Sequence, residues 1–216
     1  MTKRSSSHDD ARWLFFQKWM KSPLNVASVM PSSSDLARAM AAATPETDGI
    51  VIELGGGTGA ITAALLARGV LPEDIVIVER DPHFCLFLEQ RFPGIRILRG
   101  DARSMKSLLS TAGIALPVRA VVSGLPLLAM PSRLQASLLY QSFAVMGGCG
   151  PFIQFSYSLM SPLKKAVRNR FGVEETCVGQ VWRNLPPAKI WTFYGLPNHR
   201  TRRCQSHQEG EIMHAG

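Results

Sequence analysis

The chain has 216 residues, 46% of them apolar, with a mean hydropathy of +0.06. That is one domain with material for a sizeable core, which excludes a disordered or fibrous protein. No stretch approaches the ~18 uninterrupted apolar residues of a membrane-spanning helix. The apolar run Trp13–Phe16 is too short, and too closely flanked by Asp9, Asp10 and Lys18, to read as a secretory signal.

The net charge of +8 is unevenly spread. Residues 1–21 carry +3, residues 22–160 hold ten charges of each sign, residues 161–203 carry +7 and residues 204–216 carry −2. A neutral body with basic flanks suits an anionic surface, either a lipid bilayer or a nucleic acid. Cys85, Cys149, Cys177 and Cys204 form no C-x-x-C pair and read as reduced thiols. His8, His83, His199, His207 and His214 show no ligand spacing, so no metal is expected.

In chain order, residues 1–9 read as a polar tail and Asp10–Lys21 as an Asp-capped helix. At a hundred degrees per residue, Trp13, Phe15, Phe16, Trp19 and Met20 share one arc, opposite Gln17, Lys18 and Lys21. Ser22-Pro23 ends it. A Pro–Ser turn follows, with Ser33 or Ser34 as N-cap of a helix to Ala43. Strands are then predicted at Ile50–Leu54, Ile75–Glu79, Ile95–Arg99, Ala120–Ser123 and Phe152–Ser156. Helices alternate with them at Ala60–Arg68, Pro82–Arg91, Ser104–Ser110, Ser132–Val145 and Pro162–Arg170. The alternation predicts an α/β fold with a mainly parallel sheet covered on both faces. Cys177–Trp182 and Lys189–Gly195, joined by a short link, predict an antiparallel pair.

The run Val51-Ile-Glu-Leu-Gly-Gly-Gly-Thr-Gly-Ala60 is a strand, a glycine loop and a helix start, the arrangement of a nucleotide site. It also satisfies G-x-G-x-x-A from Gly55 to Ala60. Glu53 argues against a pyrophosphate, which avoids a neighbouring carboxylate. S-adenosylmethionine, with cationic sulfonium and ammonium groups, suits that acid better. Glu79 ends the second strand about twenty residues after the glycines, where an acid accepts the ribose hydroxyls. Asp101, after the third strand, is placed for the exocyclic amine of an adenine.

The set Glu53-Leu-Gly-Gly-Gly-Thr-Gly59, Glu79 and Gly100-Asp101 resembles the class I S-adenosylmethionine-dependent methyltransferases over residues 50–160. The resemblance implies a Rossmann-like, seven-stranded sheet with a C-terminal antiparallel hairpin. Its cofactor-binding set here is Ser33, Glu53, Gly55, Gly56, Gly57, Thr58, Gly59, Glu79, Arg80, Asp101, Ala102 and Ser123, with S-adenosylhomocysteine as the spent form.

The core also resembles the RNA adenine dimethyltransferases, whose fourth strand ends in Asn-(Leu/Ile)-Pro-(Tyr/Phe). This chain has Gly124-Leu125-Pro126-Leu127, lacking both the amide and the stacking ring. A flipped base would forgo on the order of 1–3 kcal/mol of stacking, so N6-methylation of RNA adenine takes second place. Outside the shared core, five stretches look like the bacterial phosphatidylethanolamine N-methyltransferases. They are Phe15-Phe-Gln-Lys-Trp-Met-Lys-Ser-Pro23, Val29-Met-Pro-Ser-Ser33, Ser123-Gly-Leu-Pro-Leu-Leu128 with Met130-Pro131, Gln154-Phe-Ser-Tyr157 and Val181-Trp-Arg-Asn-Leu-Pro-Pro-Ala188.

That resemblance implies stepwise methylation of a phospholipid ethanolamine towards choline, by a cytoplasmic enzyme docked peripherally on the inner face of the membrane. Another amino lipid is an open alternative acceptor, and a cofactor-binding membrane protein without catalysis is a third class. Residues 1–22 are then an amphipathic membrane-binding helix, 23–196 the methyltransferase domain and 197–216 a polar tail. Tyr157 is the residue expected to contact the amine, with Ser123 and Gly124 offering polar atoms near the methyl group. Trp13, Phe16, Lys18, Trp19, Met20 and Lys21 are expected to meet the membrane. Arg183, with Arg168, is expected to meet the lipid phosphate.

Overall fold

A computed structural model of the chain describes residues 32–115, 117–158, 160–182 and 187–195. The expected N-terminal helix, the residues expected to meet the membrane, Arg183 and the expected C-terminal tail lie outside these. The described elements are α1 (Ser32–Ala42), β1 (Ile50–Leu54), α2 (Ala60–Ala67), β2 (Ile75–Glu79), α3 (Pro82–Arg91), β3 (Arg96–Arg99) and α4 (Met105–Thr111). They continue as β4 (Val118–Ser123), α5 (Ser132–Val145), β5 (Phe152–Ser156), α6 (Lys165–Phe171), β6 (Glu174–Val181) and β7 (Ala188–Tyr194).

β1 and β2 are continuous apolar runs closed by an acid or Leu, and every residue in both is buried. Strands covered on two faces need such runs rather than alternation. The seven strands form one sheet in the order β3-β2-β1-β4-β5-β7-β6. β1 to β5 run parallel, and β7 runs antiparallel to both β5 and β6. The mainly parallel sheet is what the alternation predicts, and the seven strands with an antiparallel C-terminal pair are what the resemblance implies.

Two apolar layers sandwich the sheet. On one face Ile52, Leu54, Val78, Val121 and Phe152 pack with Met105, Leu109, Leu138, Leu139 and Val167 from α4, α5 and α6. On the other, Val51, Ile77, Val122 and Ile153 pack with Leu36, Met40, Leu65 and Leu88 from α1, α2 and α3. The strand order reverses between β1 and β4. Ligands of open parallel sheets bind outside the carboxyl ends of the strands at such a switch point.

Several boundaries differ from the expectations. α1 already begins at Ser32, so Ser33 lies inside the helix rather than capping it; three consecutive serines offer equivalent caps that local chemistry does not rank. β6 begins at Glu174 rather than Cys177, because pairing to β7 extends back to Glu174 opposite Tyr194. α6 begins at Lys165 rather than Pro162; Gln135 of α5 fixes the backbone of Pro162 and Lys164 by side-chain bonds, which local propensity does not foresee. Cys85 and Cys177 are free thiols, as expected. Cys149 is disulfide-bonded, a pairing that spacing along the chain does not show.

Candidate active site

The loop after β1 is held down by its own glycines. Gly59 starts α2 with φ 77° and ψ 25°, the left-handed region open to glycine. A Cβ there would also stand 2.3 Å from Cε2 of Phe92. Gly55 donates its N–H to the Val78 carbonyl at 2.9 Å, tying the loop to β2, and Gly56 sits buried above Ile77 and Leu88. Gly57 differs: nothing lies within 4 Å of where its Cβ would be. The loop thus turns one side to the core and presents Gly57 to open space. Thr58 is exposed, and its carbonyl accepts a hydrogen bond from Arg91 at 2.5 Å.

Glu53 lies under this loop with no exposed surface. Its Oε2 accepts the Thr62 hydroxyl of α2 at 2.6 Å, while Oε1 is buried without a partner among the described residues. Burial pushes the carboxyl from its ordinary 4.5 up to about 8; the Thr62 bond lowers it and the Glu79 carboxylate raises it further. No cation is bonded to it among the described residues. A buried carboxylate with a vacant oxygen favours an incoming positive charge, because that charge replaces the water the carboxylate lost.

Glu79 closes the other side of the loop. Oε1 accepts the N–H groups of Arg80 at 2.7 Å and Asp81 at 2.9 Å, and Oε2 accepts that of Gly57 at 3.1 Å. The carboxylate therefore ties the end of β2 to Gly57, and Oε2 retains acceptor capacity. The Arg80 side chain is exposed. Asp101 caps a short 3-10 turn, Ala102–Ser104, through the Arg103 N–H at 2.9 Å. It also pairs with the Arg103 guanidinium at 2.6 Å, and these side-chain bonds hold its carboxyl below the usual value. Asp101 thus stands at the expected edge, but already engaged by Arg103.

The fourth strand delivers its motif against the same loop. The Gly124 N–H donates to the Leu54 carbonyl at 2.8 Å. A Cβ at position 124 would stand 2.9 Å from the Gly55 carbonyl oxygen. Glycine is what permits the two loops to meet. Ser123 is fully buried, and its hydroxyl accepts the Leu125 N–H at 3.3 Å, so it shapes the turn. Gln154 of β5, opposite Ser123, donates to the Leu125 carbonyl at 2.9 Å and the Phe155 carbonyl at 3.0 Å. Leu127 is almost wholly buried, and its carbonyl accepts from Gln135 at 2.6 Å. Tyr157, just past β5, is half-buried and sits edge-to-face with Phe155 at 5.3 Å. Ser123, Gly124 and Tyr157 therefore share one sheet edge with Glu53 and Glu79, whereas Arg168 pairs with Glu175 on the body of the fold.

No protein-family model matches the chain. Over 189 residues it is 36% identical to an ornithine lipid N-methyltransferase from Singulisphaera acidiphila, spanning 85% of this chain and 96% of that one. The chain belongs to that enzyme's family. A ribosomal RNA small subunit methyltransferase A from Afipia carboxidovorans is 44% identical, but over 70 residues, or 31% of this chain and 24% of that protein. Among solved structures, a 1,6-didemethyltoxoflavin N1-methyltransferase from Burkholderia thailandensis, with S-adenosylhomocysteine bound, superposes with a TM-score of 0.62 at 14% identity. It covers 91% of this chain and 93% of that one. A TehB-like methyltransferase from Corynebacterium glutamicum gives 0.56 at 17% identity, over 88% of this chain and 100% of that one. At such identities these two carry the fold alone.

The protein is thus a class I methyltransferase, and S-adenosylmethionine is its cofactor. The residues present fit it. The vacant Oε1 of Glu53 and the remaining capacity of Glu79 are anionic acceptors for a cationic amino-acid part and a ribose, and Gly57 leaves room above the loop. One supporting residue, Thr62, lies outside the motifs, and Gln154 lies in one without an expected role. Thr62 is the sole polar residue of α2, and Gln154 is the one amide in the strand Phe152–Ser156. For Thr62 the available signal was a single polar residue in an apolar helix.

Proposed function

We propose that this methyltransferase N-methylates the head-group amine of an amino lipid. The named activity of the full-length relative supports this reading. The observation that carries it is the close approach of Gly124 to the Gly55 carbonyl. It leaves no side-chain amide where the RNA adenine enzymes hold a base. Leu127, which occupies the ring position, is buried rather than offered as a stacking surface. Phosphatidylethanolamine and ornithine lipid are the two acceptors considered. The five family-like stretches favour the first and the relative's name favours the second; both present a primary amine beside a polar head group.

When bound, the cofactor supplies an electrophilic methyl group on a sulfonium. The chain must then bring a neutral amine in line with it, because the nitrogen attacks through its lone pair. Glu53 sits beneath the loop as a buried carboxyl that a bound cation would favour in its ionised form. Gln154 and Ser123 hold the Leu125 turn, and Tyr157 lines the same edge. A half-buried ring there stabilises the methylated ammonium that forms. The ammonium gives its proton to solvent water before attack, and removal from bulk water favours the neutral amine.

The test is incubation of the protein with methyl-labelled S-adenosylmethionine and three separate acceptors: phosphatidylethanolamine vesicles, ornithine lipid vesicles and RNA. Label should enter lipid. Label in phosphatidylethanolamine alone would support the sequence expectation, and label in ornithine lipid alone would replace it. Label confined to RNA would overturn the proposal.

A further inference from the structure

The glycine loop after β1 is held from outside its own strand. Its inner bonds all use loop N–H groups. Gly55 donates to the Val78 carbonyl at 2.9 Å, Gly57 to Glu79 at 3.1 Å and Gly59 to the Gly56 carbonyl at 2.7 Å. The last of these closes a four-residue turn, Gly56–Gly59. Gly57 and Gly59 take left-handed φ values of 50° and 77° on either side of Thr58. Glycines at both flanks put little steric restraint on the peptide planes around Thr58. The Thr58 carbonyl and the Gly59 N–H belong to one planar trans peptide and point in opposite directions. Whatever fixes that carbonyl therefore also aims the N–H that closes the turn.

Arg91, the last residue of α3, fixes it. Its guanidinium donates to the Thr58 carbonyl at 2.5 Å. The same guanidinium lies over two rings, 5.1 Å from the centroid of Phe92 and 5.8 Å from that of Phe87. No carboxylate pairs with Arg91 among the described residues, so the rings and the carbonyl are what hold the charge in place. Phe92 is itself buried against the loop: a Cβ added at Gly59 would stand 2.3 Å from its Cε2. Two consecutive residues thus meet both ends of one peptide, the guanidinium at Thr58 and the ring at Gly59. Cys85 of the same helix donates its thiol to the Glu79 carbonyl at 3.5 Å. α3 is therefore tied at once to the loop and to the end of β2. Opening the Gly56–Gly59 turn would free Gly57 from Glu79, the carboxylate that fits the ribose of the cofactor.

We propose that Arg91 is a positioning residue for cofactor binding. It acts through the loop: by holding the Thr58–Gly59 peptide it keeps the turn closed, with Gly57 on Glu79, before S-adenosylmethionine arrives. A loop fixed in advance loses less conformational freedom on binding. The proposal concerns the cofactor alone and is independent of which acceptor receives the methyl group.

The test uses the full chain and its Arg91→Ala variant. Arg96→Ala serves as a control, because Arg96 is also exposed and also donates to a carbonyl, that of Glu73 at 3.0 Å, on β3. Affinities for S-adenosylmethionine and S-adenosylhomocysteine are measured by calorimetry. Amide hydrogen exchange in the ligand-free protein reports the turn. Arg91→Ala should bind both ligands about five- to tenfold more weakly, because the loop serves the part they share. Its Gly59 amide should exchange faster, while amides of β1 and β4 stay protected. Arg96→Ala should match the unmodified protein in both readouts. Unchanged cofactor affinity in Arg91→Ala would overturn the proposal. So would weaker binding with Gly59 exchange unaltered, which would make Arg91 a direct ligand contact. Faster exchange throughout the sheet would overturn it as well, since Arg91 would then stabilise the fold at large.

Discussion

At the residue scale, Glu53 concentrates the chemistry of the site. Its carboxyl is lifted to about 8 inside the fold, against an ordinary value of 4.5 that it regains on unfolding. A group whose folded pKa is raised binds its proton more tightly in the native state. Stability from this group therefore falls as pH rises from about 4.5 to about 8, by at most about 1.4 kcal/mol per pH unit, and is flat above that. Glu53→Gln should remove that slope, which urea titrations across the pH range would show. The same variant should weaken S-adenosylmethionine and S-adenosylhomocysteine alike, about tenfold, since both carry the cationic amino-acid part. Unchanged affinity for both ligands in calorimetry would mean that Glu53 acts only as a structural acceptor. Unlike Glu53, Asp101 is exposed enough to be claimed by Arg103. A ligand reaching it must share or displace that partner.

At the scale of elements, β4 and β5 act as one unit around the Ser123–Leu127 turn. Gln154 reaches across from β5 and holds the turn at the Leu125 carbonyl, while Gln135 of α5 holds it at Leu127. Both amides are buried. Gln154→Leu keeps the volume but removes two N–H bonds, leaving the Leu125 carbonyl with the Leu127 N–H alone. It should destabilise the protein by about 1–3 kcal/mol. Because the turn shapes the acceptor side, the KM for lipid should rise while cofactor affinity stays within about twofold. Thermal melts and initial-rate kinetics check this. A large loss of cofactor binding would mean that the amide supports the β1 loop instead.

At the scale of the molecule, a neutral body separates basic flanks. The segments 1–21 and 161–203 carry +3 and +7, and the 139 residues between them balance. Truncating residues 1–21 removes Trp13, Phe16, Trp19 and Met20 along with five basic side chains. Vesicle cosedimentation should fall by most of its value. The remnant should vanish at about 0.5 M salt, where the screening length drops to a few ångströms. Equal binding by full and truncated chains would assign the first helix a purely structural part.

The sequence alone determined the alternation, the sheet and the cofactor loop. A continuous apolar run such as Ile75–Glu79 forms a strand from its own composition, and glycines at fixed offsets from its neighbour leave few alternatives. Glu53 and Glu79 were legible because an acid at a strand end is a local signal. What the tertiary structure decided was how these acids are used. The burial that raises Glu53, the bond from Glu79 to Gly57 and the pairing of Asp101 with Arg103 arise only when separate elements are brought together. So does the meaning of Gly124: in sequence it is an absent asparagine, and in the fold it is the point where two loops touch.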